Sequence, residues 1–422
     1  MPEIPERGRP DPALASHWQL DPAIAFLNHG SFGACPTAVL AAQQSLRSRI
    51  EQQPLQFFAR DLEPLLDAAR ANLAQFVGAD PADLVFVPNA TTGINTVLRS
   101  LCDPAHPARL RPGDELLTTD HEYNASRNSL EFAAAWSGAK VVVAPIPFPI
   151  ASAEAAIAAV LDRLTPRTRL LLLDHVTSQT GLVLPLPPLV QACRERGIAT
   201  LIDGAHAPGM VPLDLQTLGA TYYTGNCHKW LCAPKGAGFL WVQRDQHPGL
   251  RPLVISHGAN SSRRDRSRFW LEFDWTGTAD FTPYLCVPTA IATMATLWPG
   301  GWPGIYQRNR DLALQAREHL CQNWGLVPPA PANLIGAMVS LPLPSGLVAH
   351  LSARFSANPA ANLSANLNDR LWQDFKIEVP IIPWQAPDPY LLRISAQLYN
   401  RLSQYEYLAD AIGQWQRAPA RQ

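Results

Sequence analysis

Short apolar runs alternate with Ala-rich segments between about residue 70 and residue 245. The runs are continuous, and each has the length of one strand that is buried on both faces. The Ala-rich segments at 153–164 and 188–197 have apolar spacing suited to one face of a helix. This pattern predicts an α/β fold with a mostly parallel sheet covered by helices on both faces. The predicted strands are 84–88, 115–120, 140–146, 169–176, 199–205, 220–225 and 238–242.

The pattern changes beyond Trp298, where a Pro- and Gly-rich break precedes a long helical segment. Three alternating stretches and a final helical segment follow, which predict a small antiparallel sheet closed by a helix. A chain of 422 residues also exceeds the length at which one hydrophobic core keeps growing. We therefore expect a flexible N-terminal segment at 1–20, a large domain at 21–297 and a smaller α+β domain at 298–422.

The composition restricts the possible partners. The chain has 47% hydrophobic and 16% charged residues and a formal net charge of −1, so a surface for nucleic acid is not expected. Seven scattered cysteines without a CxxC pair favour a reducing compartment over a disulfide framework or a metal site. No stretch has the features of a secretory signal or a membrane span. We expect a soluble cytoplasmic protein with a small-molecule substrate.

Lysine is scarce, which narrows the search for a catalytic amine. The only lysines are Lys140, Lys229, Lys235 and Lys376. Lys229 lies in GNCHKWLCAPKGAG, and an apolar run upstream of it ends at Asp203. An electron-sink cofactor such as pyridoxal phosphate needs one amine for a Schiff base and one carboxylate to keep its ring nitrogen protonated. Lys229 and Asp203 meet these two demands, and Lys235, in a Gly-rich turn, is the alternative lysine.

A small polar segment follows the first predicted strand. Thr91, Thr92 and Gly93 open a helix there, where N–H groups, hydroxyls and the helix dipole can bind a phosphate. An ordinary helix N-cap uses the same residue types. Ligands of open α/β sheets bind beyond the carboxyl ends of the strands, so we expect this segment to lie close to Asp203 and Lys229.

Other polar residues also follow predicted strands. A flat side chain is needed against the cofactor ring on the face opposite the lysine, and Tyr123 and His121 are both candidates. His206 and Ser178 could each hydrogen-bond the phenolic oxygen of the ring. Arg393 lies between apolar residues, and its guanidinium matches a substrate carboxylate in two parallel hydrogen bonds.

Taken together, these motifs resemble one enzyme family. NHGSFG, NATTGIN, HEYNA, IDGAHAPG, YTGNCHKWLCAPKGAGFLWV and LLRISAQLYN are similar to the class V, cysteine-desulfurase-like branch of the fold-type I pyridoxal-phosphate transferases. Within that branch they are most similar to the isopenicillin N epimerase-like group. The resemblance extends from Leu27 to Asn400 and implies pyridoxal 5'-phosphate as the cofactor. It also implies a homodimer with its sites at the subunit interface.

The resemblance gives a role to each matched position. Lys229 matches the Schiff-base lysine, Asp203 the partner of the pyridine nitrogen and Tyr123 the stacking residue. Arg393 matches the arginine that binds the substrate carboxylate. Cofactor contacts are implied for Thr91, Thr92, Ser178, His206, Asn226 and His228, and Thr278 resembles the loop that reaches the phosphate from the other subunit.

The reaction stays open between two chemistries. Lys229 is expected to remove the Cα proton of an amino acid, and reprotonation by a second base on the opposite face would give epimerisation. Tyr123, His121 and His29 are candidates for that base, and Asn28 and His29 could also line the substrate site.

The alternative reaction is C–S cleavage. The stretch from Leu326 to Arg393 contains no cysteine, so the persulfide-forming cysteine of cysteine desulfurases is missing. A cysteine or cysteine-conjugate β-lyase that releases sulfur directly is still compatible with the sequence. A non-catalytic binding protein on the same fold is the third hypothesis, and the complete set of Asp203, Lys229 and Arg393 disfavours it.

Overall fold

The computed structural model of the protein describes residues 4–344, 346–348, 363–385 and 389–417. The strands in this part of the chain are β1 Ala25–Phe26, β2 Leu84–Val87, β3 Glu115–Thr119, β4 Lys140–Ala144, β5 Thr168–Asp174, β6 Ala199–Gly204, β7 Tyr222–Asn226, β8 Gly238–Val242, β9 Met338–Pro342, β10 Ile377–Glu378, β11 Ile381–Pro383 and β12 Tyr390–Ser395.

The central sheet has seven strands in the order β2-β8-β7-β6-β5-β3-β4. The neighbouring strands from β4 to β7 pair in parallel, and β8 runs antiparallel to both β7 and β2. All seven predicted strands are present, and their ends differ from the prediction by at most two residues. The expected mostly parallel sheet is therefore confirmed.

Both faces of this sheet are covered by apolar packing. In β5, Leu171 and Leu173 belong to one hydrophobic core, whereas Leu170 and Leu172 belong to a second core on the other face. Successive side chains of a strand point to opposite faces, so a strand buried twice must be apolar at every position. This requirement explains why the predicted strands are continuous apolar runs.

Helices cover the sheet and build the rest of the molecule. Among the described residues, the helices of nine or more residues are Thr37–Gln52, Leu62–Val77, Ala90–Cys102, Asn124–Ser137, Ala153–Leu161, Leu186–Glu195, Val287–Thr296, Gly301–Trp324, Leu363–Phe375 and Leu402–Arg417. Shorter helical segments are Glu6–Gly8, Pro12–Ala15, His29–Phe32, Pro54–Gln56, Phe57–Asp61, Pro81–Asp83, Leu215–Leu218, Arg244–Gly249, His257–Asn260, Arg268–Phe273, Thr282–Leu285 and Ala332–Leu334.

A smaller antiparallel sheet follows the long helix Gly301–Trp324 and has the strand order β11-β12-β9. Its strands lie within the three alternating stretches of the sequence, which confirms the α+β character of the C-terminal part. The domain limits at 297 and 298 stay a prediction.

The N-terminal segment, expected to be flexible, packs against the C-terminal part from residue 4 onwards. Ile4 and Trp18 are buried, and Arg7 pairs with Asp410 in helix Leu402–Arg417. Strand β1 then pairs in parallel with β10. This pairing forms a two-stranded sheet that is separate from the β11-β12-β9 sheet. In the described part of the chain, no helix combines the length and hydropathy needed to cross a bilayer.

Candidate active site

The predicted cofactor residues gather at one edge of the central sheet. Asp203 lies near the end of β6, and Asn226 ends β7. Tyr123 immediately precedes helix Asn124–Ser137, which follows β3. The central sheet contains four consecutive parallel strands, β7, β6, β5 and β3, so their carboxyl ends meet at this edge. This is the edge at which open α/β sheets bind ligands.

Lys229 lies just beyond β7, and its Nζ is 3.1 Å from Nε2 of His206. Burial lowers the pKa of Lys229 to about 8, Asp203 opposes this shift, and Arg393 reinforces it. The rival Lys235 is exposed in the turn that precedes β8. Of the two lysines in this motif, Lys229 is the one that faces the charged groups of the sheet edge.

The orientation of His206 determines how it can interact with Lys229. Nε1 of the buried Trp230 donates to Nδ1 of His206 over 3.4 Å, so this nitrogen carries no proton. Burial and the nearby Lys229 charge lower the pKa of His206 well below its ordinary value, which leaves a neutral ring protonated on Nε2. An Nε2–H group can donate to Nζ of Lys229 only when the amine is neutral. The sequence predicts His206 at the phenolic oxygen, whereas here its Nε2 faces the lysine.

Asp203 is only 2% exposed. Its Oδ2 accepts a hydrogen bond from Oγ of Ser126 at 2.8 Å, and its Oδ1 accepts one from the backbone N–H of Ala205 at 3.0 Å. Burial raises the pKa of Asp203, and these two donors and Lys229 oppose that shift. A buried carboxylate of this kind gains most from a cationic partner, which a protonated pyridine nitrogen would supply.

The helix Ala90–Cys102 begins with a partly satisfied anion-binding turn. Oδ1 of Asn89 accepts from the backbone N–H of Thr92 at 2.9 Å and from its hydroxyl at 3.1 Å. Oδ1 of Asn226 accepts from the N–H of Ala90 at 2.8 Å. Within the described residues, no hydrogen bond uses the N–H or the hydroxyl of Thr91. Thr92 thus takes part in an ordinary N-cap, while Thr91 keeps two donors for an anion.

Close packing holds this helix against β7. A Cβ at Gly93 would lie 2.1 Å from Oγ1 of Thr224, so only glycine fits there. Because Gly93 has no side chain, the N-terminus of helix Ala90–Cys102 can pack against the end of β7. Any contact of Gly93 with the cofactor, as predicted, would therefore be made by its backbone. Asn226 ends the same strand, and within the described residues its hydrogen bond uses Oδ1, so its amide NH₂ group can donate to a ligand.

His228 and Thr278 occupy different surroundings. Nδ1 of His228 donates to the carbonyl of Ala237 at 2.9 Å, and burial lowers the pKa of this histidine to about 4. Its Nε2 can donate to a phosphate only when the ring is protonated, so a bound anion should raise that pKa. Thr278 is exposed, and its neighbours Thr276 and Ala279 line an apolar cavity that also contacts Thr92.

Arg393 is 4% exposed, and neighbouring polar groups fix its guanidinium. Nη1 donates to the carbonyl and hydroxyl oxygens of Ser178, and Nη2 donates to Oγ of Ser31 at 2.9 Å and to Oδ1 of Asn28 at 3.4 Å. Burial lowers the pKa of Arg393 to about 10. Nε is buried without a partner in the described chain. Ser178, predicted at the ring oxygen, here contacts Arg393, and Asn28 lies beside the same guanidinium.

The three aromatic candidates for a stacking or basic role differ in accessibility. His121 uses Nδ1 with Thr180 at 2.8 Å and Nε2 with the carbonyl of Ile146 at 3.0 Å. His29 uses Nδ1 with the hydroxyl of Tyr399 at 2.8 Å and Nε2 with the carbonyl of Lys229 at 3.0 Å. Tyr123 is 42% exposed and lies close enough to Arg393 to raise the pKa of the guanidinium, against the effect of burial. Hydrogen bonds occupy both ring nitrogens of His121 and of His29, which disfavours either as the second base, while the predicted stacking role of His121 and the predicted place of His29 in the substrate site stay predictions.

These groups fit pyridoxal 5'-phosphate. Lys229 supplies an amine, Asp203 a buried carboxylate and Thr91 free donors at a helix N-terminus. The loop of the NHGSFG motif packs directly on the lysine segment, because Gly33 has a φ of 69° and a Cβ there would lie 2.2 Å from the carbonyl oxygen of His228. An amine, a carboxylate and an anion-binding turn at one sheet edge define the fold-type I pyridoxal-phosphate enzymes as the class of this protein.

The chain belongs to the aminotransferase class V family, whose model matches residues 34–272. It is 38% identical to isopenicillin N epimerase of Amycolatopsis lactamdurans, and the match covers 93% of this chain and 95% of the relative. It is 34% identical to putative L-cysteine desulfhydrase 1 of Oryza sativa subsp. japonica, with 92% and 82% covered. Membership confirms the expected pyridoxal 5'-phosphate cofactor and a PLP-dependent isomerase or carbon–sulfur lyase as the enzyme type.

Solved structures support the same fold. The cystine C–S lyase C-DES has a TM-score of 0.73 at 23% identity, and the match covers 92% of this chain and 97% of that one. The cysteine desulfurase CsdA from Escherichia coli has a TM-score of 0.74 at 21% identity, with 95% and 97% covered. At these identities the likeness concerns the fold alone.

Several side chains of the site carry no clear signal in the sequence. Ser126, Ser31 and Trp230 contact Asp203, Arg393 and His206, respectively. Trp230 lies next to Lys229 in the CHKW motif, which offers a local signal. Ser126 and Ser31 lie 77 and 362 positions from their partners, so no local pattern indicates these contacts.

Proposed function

We propose that the protein is a PLP-dependent epimerase that acts at Cα of an amino acid or of an amino-acid-bearing metabolite. The observation that supports this most directly is the buried amine of Lys229, whose pKa of about 8 allows it to act as a base near neutrality. Arg393 lies across the same site as a preorganised receptor for the substrate carboxylate. PLP, when bound, supplies the electron sink that stabilises charge at Cα.

The protein side chains divide the work around that cofactor. Arg393 orients the substrate through its carboxylate, and Asp203 holds the ring nitrogen in its protonated form. Lys229 removes the Cα proton from one face, and His206 keeps the lysine amine neutral through its Nε2–H group. Tyr123 is the proposed second acid–base group, because it is exposed beside Arg393 whereas His121 and His29 are not available.

The second candidate is a cysteine or cysteine-conjugate C–S β-lyase. The relatives that carry the name L-cysteine desulfhydrase favour it, and they include the probable chloroplastic protein of Arabidopsis thaliana at 32% identity. The absence of a cysteine from Leu326 to Arg393 agrees with direct release of sulfide or thiol, without an enzyme-bound persulfide. Both reactions begin with proton removal by Lys229, so the site alone does not separate them.

One experiment distinguishes the two reactions. The purified protein, loaded with PLP, is incubated in heavy water with a panel of L-amino acids that includes cysteine and its conjugates. Deuterium exchange at Cα with loss of chirality and without pyruvate supports the epimerase, whereas pyruvate with sulfide or thiol supports the lyase. K229A serves as the control that should abolish either outcome. Wild-type protein without exchange on any substrate would contradict the proposal.

The active unit is proposed to be a homodimer in the cytoplasm. Thr278 is exposed in this chain, and an adjoining apolar surface at Leu253, Val254 and Ile255 is 41 to 61% exposed. A second copy covering that surface could bring Thr278 to the phosphate of its partner. The seven cysteines are all free, which agrees with a reducing compartment.

A further inference from the structure

Two buried carboxyl groups behind Asp203 have no role in the proposed reaction. Glu122 follows β3, and Asp174 ends β5 directly beside Asp203 in the parallel pairing of β5 with β6. One oxygen from each of Glu122, Asp174 and Asp203 lies within 4.8 Å of the other two. Their exposures are 5%, 2% and 2%, respectively. We call these three residues the carboxyl cluster.

Hydrogen bonds are distributed unequally over the cluster. Asp203 accepts from Ser126 and from the N–H of Ala205. Oε2 of Glu122 accepts from Oγ1 of Thr118 at 3.0 Å, and the backbone N–H of Tyr123 favours the ionised form of both Glu122 and Asp174. In contrast, Oε1 of Glu122 and Oδ2 of Asp174 are buried and have no partner within the described residues. A buried carboxylate oxygen without a donor is costly, whereas a protonated oxygen can itself donate to a neighbouring carboxyl group.

The surrounding charges cannot neutralise three anions. Lys229 acts on Asp203 and on Asp174, and Arg127 acts weakly on Glu122. The buried phenol of Tyr223 also lies near Asp203 and is neutral, because burial and Asp203 raise its pKa. Like charges at this separation in a buried site cannot all ionise. Asp203 accepts a hydrogen bond on each of its oxygens, whereas Glu122 and Asp174 each keep one oxygen without a partner in the described chain, so Asp203 is the carboxyl group best placed to carry the negative charge.

Electrostatics support the same assignment. Burial and the neighbouring carboxylates raise the pKa of Glu122 and of Asp174 well above their ordinary values. The pKa of Asp203 is also raised by burial, but by less, because hydrogen bonds from Ser126 and Ala205 and the charge of Lys229 oppose that effect. The two groups with unpartnered oxygens are therefore also the two that hold their protons more tightly.

We propose that Glu122 and Asp174 are neutral carboxylic acids in the folded enzyme and act as positioning residues that leave Asp203 as the single anion of the carboxyl cluster. This inference rests on the proposed role of Asp203 as the partner of the ring nitrogen. The cluster then holds two protons and one negative charge. That charge lies on Asp203, the carboxyl group proposed to pair with the ring nitrogen, and not on Glu122 or Asp174.

Infrared difference spectroscopy tests the protonation directly on the full-length protein loaded with PLP. At pH 7, the wild type should show the C=O stretch of buried protonated carboxylic acids, with a shift in heavy water. E122Q and D174N should each remove part of this signal. E318Q changes an exposed glutamate on helix Gly301–Trp324 and should leave the signal unchanged. Absence of the signal in the wild type at pH 6 to 8 would overturn the proposal, whether or not the variants fold.

Thermal unfolding gives a second readout. The folded state keeps the two protons, whereas the unfolded chain releases them above about pH 4. The contribution of these two groups to the free energy of unfolding therefore falls as the pH rises from about 4 towards their raised pKa values in the folded state. E122Q and D174N cannot ionise and should gain a few degrees in midpoint temperature relative to the wild type between pH 5 and pH 8. A difference that stays constant or reverses with pH would overturn the proposal. The role of Asp203 is judged separately, since D203N that kept full turnover would contradict the proposed function and not the protonation of its neighbours.

Discussion

At the scale of single residues, one indole nitrogen influences the charge of the lysine. Trp230 holds Nδ1 of His206 unprotonated, which leaves Nε2–H to face the amine of Lys229. In W230F the ring can take the other tautomer, with an unprotonated Nε2 that favours the protonated amine. We expect the pKa of Lys229 to rise above its value of about 8. Because only the neutral amine attacks PLP, the pH at which cofactor attachment to apo-protein reaches half its maximal rate should rise as well.

A matched control separates this effect from the loss of packing. Trp241 is also buried, and its Nε1 has no partner among the described residues. W241F therefore removes a similar volume without changing His206, and it should leave the pH dependence at the wild-type position. An unshifted profile in W230F would show that Trp230 only fills space.

The guanidinium of Arg393 is held in one orientation by neighbouring side chains. Arg393 is oriented by Ser31 at 2.9 Å and by Ser178. R393K keeps the charge but loses the two parallel hydrogen bonds, so KM for a carboxylate substrate should rise about 10- to 100-fold. S31A should raise KM by a smaller factor and leave kcat nearly unchanged. Steady-state kinetics on the substrate found in the heavy-water panel check both variants, and an R393K enzyme with unchanged KM would contradict the carboxylate assignment.

At the scale of elements, the N-terminus of helix Ala90–Cys102 combines a structural cap with a binding turn. N89A removes the acceptor for the N–H and hydroxyl of Thr92. It should lower the free energy of unfolding by about 1 kcal/mol and also accelerate the release of PLP, because the turn that presents Thr91 loosens. Denaturant unfolding and cofactor dissociation measure the two effects.

Another helix supplies the control for N89A. Ser267 caps helix Arg268–Phe273 by accepting from the N–H of Trp270 at 3.2 Å. S267A should cost a similar free energy of unfolding without changing the dissociation of PLP. Equal effects of N89A and S267A on PLP release would mean that the cofactor responds to stability in general and not to this turn.

The elements also show what a sequence can predict. Strands such as β5 were predictable because burial on both faces forces a continuous apolar run. The placement of Lys229 near Asp203 at one sheet edge was predictable because each lies near the end of a predicted strand. Pairings between distant segments were not. The hydrogen bonds of Ser178 to Arg393 and of His206 to Lys229 were not indicated by the sequence, and the contacts of both residues with the cofactor ring stay predictions. Such pairings depend on long-range geometry that no local pattern contains.

At the scale of the whole molecule, the exposed apolar surface at Leu253, Val254 and Ile255 bears on assembly. Leu253 and Val254 also line the cavity that contacts Thr92 and lies beside the segment of Thr278. If a second copy covers this surface, a charge there should split the dimer and expose the phosphate region. V254E is therefore expected to sediment as a monomer, because burying an unpaired charge in an apolar subunit contact is costly. Without the partner subunit at the phosphate region, the variant should also bind PLP at least about tenfold more weakly, which corresponds to roughly 1.4 kcal/mol of binding free energy.

The control for this prediction is another exposed valine. Val327 is 86% exposed in the loop after helix Gly301–Trp324, so V327E adds the same charge away from the cavity. It should leave both the sedimentation coefficient and the affinity for PLP unchanged. A V254E protein that remained dimeric with native affinity, or a wild-type protein that was monomeric at micromolar concentration, would contradict the assignment of this surface to the subunit interface. Loss of PLP without loss of the dimer would instead place Val254 in the cofactor site of its own chain.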